Sequence, residues 1–285
     1  MDKIGEVSSF QFQLLGQQIT VNPNMFLMTY IVIFFLTITA FFATRRLKSV
    51  PSTSQNIFEI LYEFIEDVTT GTLGHRDGKS FVPFIFTIFL FVLAANWIGI
   101  LPHITTLFGF VIAMIHQIIT GNAGQWVVNG ITQTTFIPNP DVFYHFLFKF
   151  PAFEEPTRSI NTDLALGILV FIVVHVNSLR KHGLLDYFRS YMGDIVPSHG
   201  FWILLFPITP FFYLNLISEV SSVVSHSFRL FGNIFGGFMI LVIVSSLVKH
   251  FLVPVGLLAF FGLFAGIVQA FVFTMLAITY IGQKN

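Results

Sequence analysis

Cysteine is missing from all 285 residues. Its absence excludes a disulfide framework and any thiolate metal site. Charge is scarce as well. Asp, Glu, Lys and Arg together make up 10% of the chain, where a soluble domain carries about 25%. The 14 basic residues cancel the 14 acidic ones, so no basic surface argues for nucleic acid. The chain does not open on a basic stretch followed by an apolar core, so no cleavable signal peptide is expected, nor an Arg-rich organellar leader. The nine histidines follow no metal-ligand spacing, and nothing calls for a metal or a cofactor. No internal repeat is visible, which removes a usual mark of a secondary transporter. What fills the chain is apolar. Hydrophobic residues are 54% of it, with 38 Phe, and the mean hydropathy is +0.80. Several apolar runs exceed about 18 residues, the length that reads as a membrane-spanning helix. The expected fold is an all-α membrane protein, a single membrane domain over 1–285, with the lipid bilayer as its first partner.

The segments follow in order. An external N-terminus, 1–24, precedes a first span at 25–44, which stops at the basic cluster Arg45-Arg46-Leu47-Lys48. Residues 55–70 read as an amphipathic helix. Ile57, Leu61, Phe64 and Val68 recur at helical spacing, while Glu59, Glu63 and Glu66 share another face. Such a helix lies at the membrane surface or against a partner. A second span covers 81–101 and ends at Pro102. A long external connection, 102–158, follows. Its apolar piece 107–119 is too short to span comfortably and is expected to be interfacial or re-entrant. The insertion 105–153 is expected to cap the outside or to touch a neighbouring subunit. A third span covers 160–177, ahead of Arg180-Lys181-His182. Two long helices, 207–248 and 252–281, complete the chain, with Pro254 in the first turn of the second, where proline is tolerated. The expected architecture is three ordinary transmembrane helices, one amphipathic interfacial helix, and a C-terminal hairpin of two long tilted helices.

Tilt follows from length. An uninterrupted helix over 211–248 is about 57 Å long at ~1.5 Å per residue. The hydrocarbon core is only ~30 Å thick, so the helix must tilt steeply or break. Two such helices could wrap a cylindrical neighbour. Gly232, Gly236, Gly237, Gly262 and Gly266 would permit close approach. Orientation follows from Lys and Arg. If the Arg45 side is inside, nine basic residues lie inside (Arg45, Arg46, Lys48, Arg76, Lys79, Arg180, Lys181, Arg189, Lys284) and four outside (Lys3, Lys149, Arg158, Lys249). The bias implies an external N-terminus and a cytoplasmic C-terminus.

The fourteenth basic residue is Arg229, and it sits mid-helix. An arginine at the centre of a membrane helix costs ~3 kcal/mol on insertion scales, and ~10 or more in simulations. Such residues face a cavity or a partner and read as functional. Asp163 and Glu219 are the other charges inside the expected spans. Ser218, Ser222, Ser225, Arg229 and Asn233 form a polar stripe at steps of three and four, flanked by His226. The serines also fit a plain role as glue between helices. His175 suits either a proton path or packing. Ser222 and His226 stand four apart, but no nucleophile motif or oxyanion loop accompanies them, so no catalytic residue is assigned.

The run Ser227-Phe228-Arg229-Leu230-Phe231-Gly232-Asn233 resembles the signature of subunit a of F-type ATP synthases. Three further stretches agree in order: Asn96-Trp97-Ile98-Gly99-Ile100-Leu101-Pro102 with the earlier Pro83, Glu154-Glu155-Pro156-Thr157 with Ile160-Asn161-Thr162, and Val268-Gln269-Ala270-Phe271-Val272-Phe273. The resemblance implies a proton-translocating stator subunit in a bacterial plasma membrane. Its partners would be the rotor ring of subunit c, the peripheral stalk subunit b and the remainder of the ATP synthase. It would have no catalytic step of its own. The family subunit provides two offset half-channels, with the arginine, here Arg229, between them. From their placement, Glu219, aided by His226, Ser222 and Ser225 with Asn233 continuing the stripe, is expected to line one half-channel together with Asp163 of the neighbouring span. Gln269 matches a family polar residue near the arginine and equally fits helix-packing glue. Two departures stand out. Many relatives carry Glu or His where this chain has Phe238, and His or Glu where it has Gly262.

Overall fold

The computed structural model describes residues 10–14, 17–21, 23–45, 47–101, 104–121, 123–129, 133–148, 153–191, 210–247 and 252–284. The expected helix entry at Pro207, and Lys3, Arg46, Pro102, Lys149 and Lys249, lie outside them. Among the described residues eight α-helices dominate: α1 (Pro23–Thr44), α2 (Thr53–Leu73), α3 (His75–Trp97), α4 (Ile104–Thr120), α5 (Ile160–Ser190), α6 (Pro210–Leu247), α7 (Leu252–Ala259) and α8 (Gly266–Gln283). A π-helical stretch, Phe260–Ala265, joins α7 to α8. Among the described residues, five helical stretches are long and apolar enough to cross a membrane: Pro23–Thr44, His75–Ile100, Ile160–Leu184, Phe212–Val244 and Gly256–Gln283. The chain divides into two units, Met1–Phe34 with Ala94–Pro156 and Gly236–Gly266, and Phe35–Leu93 with Thr157–Phe235 and Ile267–Asn285.

In the second unit, one core joins Ile65 of α2, Ile85, Phe89 and Val92 of α3, Val170 and Val174 of α5, Leu230 of α6, and Phe273, Ala277 and Ile281 of α8. The amphipathic stripe of α2 is set one residue away from the sequence reading. Ile65 is its fully buried centre, with Leu61, Val68 and Leu73 packed beside it, while Ile57 and Phe64 stay exposed. Two glycines turn the backbone where other residues would strain. Gly74, at φ 82, ends α2 and lets α3 begin one residue later. Gly183, at φ 78 and ψ 167, kinks α5 sharply; that conformation is open to Gly and costly for residues with a Cβ.

In the first unit, the long connection is more structured than its polar composition suggested. α4 packs its Ala113 face on Tyr144, with Ile112, Phe136, Leu147 and Phe148 around them. His116 Nδ1 meets the Tyr144 hydroxyl at 3.0 Å. Strands β3 (Gly124–Asn129) and β4 (Gln133–Pro138) form an antiparallel hairpin with Trp126 opposite Phe136. Strands β1 (Phe10–Leu14) and β2 (Gln17–Val21) form another. Both hairpins draw on β-branched and aromatic residues, which favour a pleated surface.

The Asn96-Trp97 motif has a structural task in this unit. Asn96 donates to the Gly266 carbonyl at 3.2 Å, and the Trp97 indole N–H to the Leu263 carbonyl at 3.4 Å. A π-turn disturbs the regular i→i−4 ladder, and these two donors brace carbonyls at its end. Gly262, one of the two departures, is explained here: a Cβ on it would collide with the side chain of Ile100. Gly262→Ala should therefore cost about 1–3 kcal/mol by overpacking. Thermal unfolding in detergent would register the loss, and Ile100→Ala in the same chain should recover part of it. An unchanged midpoint in Gly262→Ala would contradict this packing.

Candidate functional site

α6 starts with Pro210 in its first turn, where the missing N–H is harmless, and runs for 38 residues. Its length makes two faces distinguishable. Glu219, His226, Ser227 and Leu230 are buried against the rest of the second unit. Leu214, Ile217, Ser218, Ser221, Ser225, Phe228, Arg229 and Gly232 are exposed. The polar stripe of the sequence reading is thus divided. Ser218, Ser225 and Arg229 stand on the open face, Ser222 and Asn233 are half-buried, and His226 points inward. Arg229 joins no salt bridge among the described residues. A guanidinium in a membrane-spanning helix is costly unless it faces a cavity or a partner.

The buried face holds a polar cluster centred on Glu219. Its Oε1 lies 2.5 Å from Lys284 Nζ. Its Oε2 accepts a hydrogen bond from the Tyr280 hydroxyl and lies 3.5 Å from His175 Nε2. The opposite ring nitrogen of His175, Nδ1, is 2.8 Å from the Tyr187 hydroxyl, which in turn is 3.0 Å from that of Tyr191. Asn215 donates to the Tyr191 carbonyl at 2.9 Å. The kink at Gly183 makes this closure possible. In a straight helix Tyr187 would stand about 18 Å beyond His175; after the kink it returns to bond it. Burial holds the Tyr191 hydroxyl well above the ordinary phenol range, helped by its Tyr187 hydrogen bond and the Glu219 charge. It therefore stays neutral beside the Glu219 carboxylate.

Asp163 is the other buried acid. It is wholly buried, and neither carboxyl oxygen has a hydrogen-bond partner among the described residues. His226 Nε2 is likewise unpartnered, and its ring meets Phe273 edge-on at 5.3 Å. One turn along α5 from Asp163, Gly167 lets α6 come close: a Cβ there would sit 2.6 Å from Ser227 Oγ and 3.2 Å from the Val223 carbonyl. Gly167 meets 223–227, whereas His175 meets 219. The two helices therefore run antiparallel, and Asp163 stands toward the Arg229 level of α6, away from Glu219. Asp163 and Glu219 thus stand at different levels of the α5–α6 pair.

Gln269 is buried on α8 beside Ala270, a member of the core. Gly99 adjoins the Glu155 carboxylate, which would collide with a Cβ there, so two of the four sequence motifs touch. Sequence reasoning missed Tyr187, Tyr191, Asn215, Tyr280 and Lys284. None of them is an unusual residue at the end of an apolar helix, so none carries a local signal.

A family model described as ATP synthase A chain matches residues 25–282. The chain is 30% identical over 260 residues to ATP synthase subunit a of Trichlorobacter lovleyi, covering 91% of this chain and 86% of that one. It is 32% identical over 253 residues to ATP synthase subunit a of Geotalea daltonii, and 31% identical over 253 residues to that of Geotalea uraniireducens, covering in both cases 89% of this chain and 83% of the relative. With four motifs in register, five apolar helices and a match over nearly its whole length, the chain belongs to the ATP synthase subunit a family.

Proposed function

We propose that the chain is the proton-translocating stator of an F-type ATP synthase, with Arg229 facing the rotor ring between two half-channels. Its family makes it a component of the ATP synthase complex and ties it to proton transport and ATP synthesis. The observation that carries the finer reading is the position of Arg229. It is exposed, free of intrachain salt bridges among the described residues, and set on the open face of a 33-residue apolar span. A ring of subunit c, each copy with a membrane carboxylate, supplies the missing counter-charge. The arginine favours the ionised form of the carboxylate passing it. A carboxylate leaving it for lipid must take up a proton, since an isolated buried charge is costly. The chain itself carries out no ATP chemistry; that belongs to the catalytic head, with subunit b of the peripheral stalk holding the stator still.

The antiparallel packing of α5 and α6 supports two half-channels at opposite ends of this helix pair. Glu219 and His175 mark one, at the Arg180-Lys181 end of α5. Asp163, about 18 Å away along α5 from His175, marks the other, with His226 between them. The basic bias supports an Arg180 end in the cytoplasm of a bacterial cell and an external N-terminus. Ser222, Ser225, Asn233 and Gln269 line the approach to Arg229.

The absence of cysteine allows a direct test, because no native thiol of this chain competes. In the assembled complex, Glu219→Cys should react with a small membrane-impermeant thiol reagent added on the Arg45 side, and Asp163→Cys with the same reagent on the opposite side. Reaction of both from one side would overturn the assignment. A photo-crosslinker placed at Phe228 should capture the rotor subunit; capture of lipid alone would remove the ring from the Arg229 face.

A further inference from the structure

Lys284 is placed unusually for a surface lysine. It follows α8, and its backbone N–H bonds the Ile281 carbonyl at 3.2 Å. Its ammonium turns inward over the Tyr191 ring, 4.4 Å from the centroid, and ends 2.5 Å from Glu219 Oε1. The lysine side chain is 22% exposed and the glutamate side chain 8%. One partner is therefore partly exposed while the other is buried. Among the described residues, the remaining groups around the carboxylate are Tyr280 on α8 and His175 on α5, backed by Tyr187 and Tyr191. None of these is a permanent cation, so among the described residues Lys284 is the fixed positive charge of the cluster.

We propose that Lys284 is a counter-ion latch on Glu219, a positioning residue that sets the pH range over which this half-channel exchanges protons. The proposal rests on Glu219 being a half-channel carboxylate. A proton arriving from water binds a Glu219 oxygen and neutralises it. The ammonium then loses its ion pair and, being partly exposed, turns to solvent. When the proton moves on toward the ring, the carboxylate is ionised again and the ammonium returns. Proton and lysine thus compete for one carboxylate, and an opposite charge at this range biases such an equilibrium by about tenfold or more. Tyr280 keeps its hydrogen bond in both states and holds the carboxylate in place.

The test is ATP-driven proton pumping by the intact complex in inverted vesicles, measured against the pH of the medium from which protons are drawn. Without the ammonium, Glu219 retains a proton to higher pH. The alkaline fall-off of pumping in Lys284→Gln should therefore move up by about one pH unit, while Lys284→Arg keeps the wild-type profile. In a Glu219→Gln background, Lys284→Gln should move nothing further. Lys284→Met, which keeps the stem over Tyr191, makes the same measurement if Lys284→Gln fails to assemble. A purely structural lysine would lower the amplitude without moving the profile. That result, alongside a Glu219→Gln variant that still pumps slowly, would overturn the latch and leave the half-channel reading standing. Normal pumping by Glu219→Gln would instead remove the half-channel reading itself.

Discussion

Arg229→Ala should abolish ATP-driven proton pumping while leaving the complex assembled. The magnitude follows from electrostatics. A cation within reach of a carboxylate biases its protonation by roughly 10- to 1,000-fold, and each rotor carboxylate must change state as it passes. Pumping below about one hundredth of wild type is the expected result. The loss should be functional and not structural. Arg229 is exposed and makes no salt bridge among the described residues, so alanine leaves no buried partner stranded, and Leu230 still fills the core next to it. Removal of the charge even lowers the insertion cost of α6, by ~3 kcal/mol on translocon scales. Passive proton leak should rise, because the barrier between the two half-channels has gone. The measurement is acidification of inverted vesicles, with co-purification of the rotor ring as the assembly control. Pumping near the wild-type level would mean that Arg229 is not the gate.

Glu219→Gln is expected to slow pumping by roughly a hundredfold, in the range lost when a positioned proton-transfer group is removed. Glutamine keeps the shape and can still accept from Tyr280, but it cannot carry a proton. The structural cost should be small. Breaking a fully buried ion pair costs ~3–5 kcal/mol when it strands a charge, but Lys284 is partly exposed and can turn to water. A thermal midpoint within a few degrees of wild type, together with severely reduced flux, is the expected combination. Equal losses of both would point to a cluster that only holds α5, α6 and α8 together.

The two predictions differ in how far their residues could be read from the chain. Arg229, Glu219 and Asp163 are charges inside long apolar runs, and that is a local signal. The partners of Glu219 are not local. Tyr280 lies 61 residues away from it and His175 lies 105 from Tyr280. Tyr280 looks like an ordinary residue of an apolar helix, and His175, though noticeable in its span, carries no sign of which carboxylate it meets. Helical periodicity located α2, but it drew the stripe through Phe64 and Ile57 when Ile65 is the residue that disappears from solvent. A stripe of helical residues is about two positions wide, and only a packed neighbour selects its centre. The hairpin β1–β2 was hidden for a different reason. Phe10-Gln11-Phe12-Gln13-Leu14 alternates with a period of two, and over five residues this resembles the mixed composition of an ordinary loop.

The sequence by itself determined that this is a mainly helical membrane protein with long apolar spans, and where its out-of-place charges fall. Both depend on hydrophobic run length and on the cost of charge in lipid, which act on each segment separately. The hairpins β1–β2 and β3–β4 depart from the expected all-α fold. Four motifs in register determined the family. The tertiary structure decided which face of α6 each polar residue takes, dividing Arg229 and Ser225 from Glu219 and His226. It also decided that Asp163 stands apart from Glu219, through the antiparallel contact at Gly167, and that Gly183 folds Tyr187 back onto His175. These outcomes depend on the rotation and direction of one helix against another. Packing at a few glycines and hydrogen bonds between distant residues set them, and neither is expressed in the composition of any single helix.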